Sequence, residues 1–122
     1  MLDLMHKKLD VYHWAMVLVE EIYKATSVYP KEERFVLVSQ LRRAAISVCS
    51  NIAEGAARKS KAEKQRFYEI ARSSLVELDT QLEISIILGH LQVDHAKELN
   101  GPLQSIFKML SKLIKNLEPQ PD

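Results

Sequence analysis

The chain has 122 residues, 47% of them hydrophobic and 27% charged, and its formal net charge is +1. That size fits one domain with a single core, and the near-neutral balance excludes the overall basic field of a strong general nucleic-acid binder. Three glycines, four prolines and one cysteine leave no internal linker and no intrachain disulfide, and no apolar run approaches the roughly 20 residues that span a bilayer.

The residues before Leu9 are expected to be unordered, as is the chain beyond Leu117. The first helix is predicted from about 10 to 28, with Asp10 as its N-cap and Leu9 and Trp14 as a hydrophobic staple. Its apolar residues, among them Val11, Trp14, Met16, Leu18 and Ile22, cover more of the circumference than one partner helix can bury, so a second contact surface is expected. The second helix is predicted over 30–57, with Pro30 in its first turn, Glu32 and Glu33 at its positive end, and Gly55 just past its last turn.

That second helix carries a polar stripe, Gln40, Arg43, Ser47, Asn51 and Glu54, spaced by three or four residues and therefore on one face. Its apolar face is Leu37, Val38, Leu41, Ala44, Ala45, Val48 and Ile52. The stripe is expected to form a buried structural network with Glu77, Ser74 and Gln81 of the third helix, Arg43 neutralising the carboxylates. The third helix is predicted over 60–88, opened by a Ser60/Glu63 capping box. The fourth is predicted over 94–117, capped by Asp94 and kinked or briefly broken near Pro102, with Leu99, Leu103, Ile106, Leu110 and Leu113 on its inner seam. The fold class is thus all-α, an antiparallel up-and-down four-helix bundle in a single domain.

Charge is unevenly spread along the chain. From Arg58 to Arg72 six basic residues stand against Glu63 and Glu69, whereas from Glu77 to Asn100 five acids stand against Lys97 alone. The candidate RNA-binding residues are Arg58, Lys59, Lys61, Lys64 and Arg66, because phosphate binding scales with the number of charges neutralised. Catalytic, cofactor and metal sites are read as none. A catalytic role for Glu54 or Glu77 would need a cleft and a raised pKa, Cys49 on a helix has no evident base, and His6, His13, His90 and His95 lack metal-ligand spacing. Isolated glycines at 55, 89 and 101 make no phosphate cradle.

The run S-Q-L-R-R-A-A-I-S at 39–47 and S-N-I-A-E-G at 50–55 resemble the bacterial four-helix-bundle proteins first found encoded in intervening sequences of 23S ribosomal RNA genes. L-D-V-Y at 9–12, the segment 30–34, Phe67 to Ala71 and S-L-V-E-L at 74–78 extend the match over nearly the whole chain. Cys49 stands where many relatives have proline, and Val36 where glycine is common. The resemblance implies a homopentamer with no established enzymatic activity, and in some relatives a basic surface that engages RNA beside a reverse transcriptase. The expectation is therefore a non-enzymatic cytoplasmic oligomer with structured RNA or a ribonucleoprotein as partner, without membrane or small-molecule substrate. The alternative is a protein-interaction scaffold using apolar surface on the first and fourth helices, Trp14 and Phe107 included.

Overall fold

A computed structural model describes residues 1–119. Four helices follow one another, α1 (Asp10–Thr26), α2 (Leu37–Ala57), α3 (Lys61–Ile87) and α4 (Val93–Leu117), with 3-10 turns at Met5–Lys8 and Lys31–Glu33 and no strand among the described residues. Each helix packs against its two neighbours in the order α1, α2, α3, α4 and back to α1, which is the antiparallel bundle expected from the helical period and the short connections. The core runs through the centre: Val11, Ala15, Leu18 and Ile22 of α1; Leu41, Val48 and Ile52 of α2; Leu75, Leu78 and Leu82 of α3; Leu99, Ile106 and Leu110 of α4. Among the described residues no helix is long and apolar enough to cross a membrane.

The helix ends depart from expectation in ways with physical causes. Leu9, not Asp10, is the N-cap of α1, so Asp10 sits in the first turn and its carboxylate faces the positive helix end without capping it. Trp14 is consequently no staple and stays 38% exposed. The Met5–Lys8 segment is an ordered turn against α2, contrary to the expected disorder; the corresponding expectation for 120–122 lies outside the described residues. α1 stops at Thr26, whose hydroxyl donates back to the Ile22 carbonyl at 2.7 Å. Tyr29 then turns inward and is buried, and α2 begins at Leu37 rather than Pro30.

The loops are tied to each other at this end. Glu33 meets His90 at 3.0 Å, both largely shielded, and the Tyr29 ring lies 5.6 Å from the His90 ring. Burial pushes the Tyr29 phenol above its ordinary pKa, with the Ser85 hydroxyl acting the other way. α3 ends on a Schellman motif: the His90 N–H donates to Ser85 O at 2.9 Å and the Gly89 N–H to Ile86 O at 3.0 Å, with Gly89 at φ 79°. α4 starts one residue earlier than predicted with Gln92 as N-cap, so Asp94 is not its cap, and it runs unbroken through Pro102. Glu98, whose carbonyl loses its donor there, is exposed to water, while Leu99 and Leu103 on the opposite side are buried and hold the helix together.

Gly55 lies inside α2, not beyond its end, and its role is close approach. A Cβ added there would stand 2.6 Å and 2.8 Å from ring atoms of buried Tyr68 and 3.3 Å from the Phe67 Cβ. Gly55→Ala should lower stability by about 1–2 kcal/mol, because overpacking outweighs the gain in helix propensity of roughly 1 kcal/mol. Gly89→Ala, where nothing crowds the added carbon, should cost about 1 kcal/mol through its left-handed backbone alone. Urea denaturation of the two variants beside wild type checks both. A Gly55→Ala protein as stable as wild type would contradict the close packing of α2 on α3.

Candidate nucleic-acid interface

The charged end of the bundle is built by a short connection. Arg58 caps α2 in an extended conformation and Ser60 caps α3, its hydroxyl accepting from the Glu63 N–H at 3.1 Å, which is one half of the expected box. Only Arg58, Lys59 and Ser60 lie between the helices, so the basic residues on both sides of the turn share one rim. The N-terminus of α3 adds its own partial positive charge there.

The five candidate residues are not equivalent. The Arg58 guanidinium donates to Glu54 Oε2 at 2.9 Å and lies 4.7 Å over the Phe67 ring, so part of its charge is already answered. Lys64 is half-buried and turned inward, its ammonium donating to the carbonyls of Gly55 at 3.3 Å and Ala56 at 3.0 Å. It closes the last turn of α2, a structural task that sequence spacing did not reveal. Lys59, Lys61 and Arg66 are exposed and form no ion pair among the described residues.

Sequence reasoning missed the basic residues that the topology adds to this end. An even number of antiparallel helices brings the chain's start and the end of α4 beside the α2–α3 turn. The Met5–Lys8 turn packs on α2 and carries Lys7 and Lys8, and the last turns of α4 carry Lys112 and Lys115. A groove lined by Lys61, Gln65, Asn116 and Leu117 joins α3 to α4 at this rim. Among the described residues, Asp3, Asp10, Glu54, Glu63 and Glu118 are the acids of the same end, so the excess there remains basic.

The polar stripe is not one buried network. It lies on the flank of α2 that faces α3 and is partly open to water: Gln40, Arg43, Glu54 and Glu77 are exposed, and Ser47 and Asn51 are half-buried. It divides into separate pieces. The Ser47 and Ser74 hydroxyls meet at 2.8 Å, and Asn51 Nδ2 donates to the Ser47 carbonyl at 2.9 Å and its hydroxyl at 3.0 Å. Gln81 Nε2 donates to Gln40 at 3.2 Å and to Glu77 at 3.1 Å, leaving its own buried Oε1 without a partner. Arg43 joins neither group and pairs with neither Glu54 nor Glu77, because Glu54 is taken by Arg58 and the three side chains are spread along an open seam.

Glu54 and Glu77 therefore stand at the surface, one paired with Arg58 and the other accepting from Gln81, with no shared cleft between them. Cys49 is buried in the core, and desolvation pushes its thiol up to about 11, so at neutral pH it is a protonated, inert side chain. Among the described residues no group of three or more His, Cys, Asp or Glu side chains could hold a metal.

Comparison with known proteins agrees with this architecture. A crystal structure of a protein of unknown function from the S23 ribosomal protein family of Bacteroides thetaiotaomicron is similar with a TM-score of 0.79 at 23% identity, over 86% of this chain and 95% of that one. No functionally curated protein matches the sequence. The family model described as 23S rRNA-intervening sequence protein matches residues 7–112, and the chain belongs to that family.

Proposed function

We propose that this protein is a non-enzymatic, cytoplasmic helical-bundle oligomer that associates with structured RNA through the basic rim formed by Arg58, Lys59, Lys61 and Arg66, with Lys64 holding the rim's geometry. The observation that carries this reading is the convergence of the α2–α3 turn, Lys7, Lys8, Lys112 and Lys115 at one end of a chain whose net charge is only +1. A nearly neutral molecule with a local excess of cations at this end can attract phosphate there.

Assembly, with a pentamer as the expected state, is part of the same reading. The half-open α2–α3 seam supports it: exposed Ile70 and Ile84 of α3 leave apolar area that a neighbouring subunit would cover. Five copies would repeat the rim and multiply its charge. A scaffold role is the second reading. It is favoured by an apolar groove of about 280 Å³ between α3 and α4, lined by Leu75, Val76, Leu103 and Phe107. That reading predicts salt-tolerant partner capture lost in Phe107→Ala or Trp14→Ala.

Fluorescence anisotropy with a labelled structured RNA at about 50 and 200 mM salt tests the rim. Binding should weaken roughly a hundredfold or more between those salts, and a Lys59→Glu, Lys61→Glu double variant should lose it while keeping its helical spectrum. Absence of binding at the lower salt would overturn the RNA reading. Light scattering on the unlabelled protein should give five times the chain mass; a stable monomer at about 100 μM would remove the pentamer, since an assembly that weak would bury too little surface.

A further inference from the structure

A second cationic surface lies away from the rim, where α1 and α2 diverge towards the opposite end of the bundle. Tyr23, Arg34, Phe35, Val38, Ser39, Arg42, Arg43 and Ile46 line an open groove of about 490 Å³. Three of these eight residues are arginine and none is acidic. None of the three arginines has an ion-pair partner among the described residues.

The groove also presents aromatic rings to solvent. Phe35 is 84% exposed and Tyr23 40% exposed, and each ring already carries a guanidinium: Arg34 lies 5.5 Å from the Phe35 centroid and Arg42 lies 4.3 Å from that of Tyr23. Arg42 is held in place, its Nε donating to Thr26 Oγ1 at 3.0 Å and its Nη2 to the Tyr23 carbonyl at 3.5 Å. One cation is thus fixed against α1, while Arg34 and Arg43 are exposed on its flanks. A ring as exposed as Phe35 contributes nothing to the core and leaves apolar area open to a planar partner.

We propose that this groove is a binding site for an unpaired strand of nucleic acid, with bases stacking on Phe35 and Tyr23 and successive phosphates meeting Arg34, Arg42 and Arg43. Planar faces beside unneutralised guanidiniums are the combination that single strands use. Several guanidiniums along an open channel suit a strand with several phosphates; a free nucleotide would need the enclosure that this groove lacks. The site stands on residues separate from the rim, so each can fail without the other.

The test is anisotropy of a labelled unpaired pyrimidine decanucleotide at about 50 mM salt with wild type, Phe35→Ala and Arg43→Glu, each also placed in the Lys59→Glu, Lys61→Glu background. Both single changes are at exposed positions and should leave the melting temperature unchanged. Phe35→Ala should weaken binding about tenfold with an unchanged salt slope, because it removes one stacked base. Arg43→Glu should weaken it and lower the salt slope by about one. Both effects should persist in the rim-substituted background. Decanucleotide binding equal in Phe35→Ala and wild type, no binding at all, or displacement by uridine monophosphate or poly-glutamate as effectively as by unlabelled decanucleotide would each overturn the proposal.

Discussion

The close approach of α2 to α3 is the constraint on which the rest of the molecule depends. Small residues make it: Ser47 on α2 meets Ser74 on α3, and at Gly55 the Tyr68 ring occupies the volume that an added Cβ would need. At that separation the Ser47 and Ser74 hydroxyls reach 2.8 Å and lock the register of one helix against the other. A single hydrogen bond contributes only about 1 kcal/mol, but a register error would strand several half-buried polar groups at once. The Ser47–Ser74 pair therefore acts on register more than as a large stabiliser.

Fixing that pair also determines where charge appears. With Gly55 pressed on Tyr68, α2 ends within a turn of the contact, three residues suffice to reach α3, and Lys64 is close enough to bond the carbonyls of Gly55 and Ala56. The cation that completes the helix end is lost to ligands, and its neighbours Lys59, Lys61 and Arg66 are held facing solvent. On the other flank of α2, Arg42 is clamped to α1 through Thr26 and Tyr23, so adjacent arginines in one turn take different parts: one joins helices, and the other stays exposed beside it.

Much of this fold is legible from residue spacing because burial imposes the helical period. The core stripes of all four helices, the Ser60 cap and the turn at Gly89 follow from patterns that a single sequence carries. Helix starts were harder to read, since Asp10 and Asp94 look like caps but compete with neighbouring residues whose backbone is already extended, Leu9 and Gln92. The start of α2 depends on Tyr29 being drawn inward and Glu33 pairing with His90 from a loop 57 residues away, which no local signal reports. The polar stripe was legible as a face but not as to its depth: a flank and a buried face share the same period, and only packing distinguishes them. The Arg34, Phe35, Tyr23 groove was invisible for the same reason, because its members come from two helices and a turn.

The most direct test of the central claim is a double-mutant cycle of Ser47→Ala and Ser74→Ala, with stability read by urea unfolding. If α2 and α3 are held at contact distance by this pair, the two substitutions should be coupled by roughly 0.5–1 kcal/mol, the double variant losing less than the sum of the singles. Strictly additive losses would mean that the hydroxyls do not interact in the folded protein, and would contradict the close α2–α3 packing from which the remainder of the account is built.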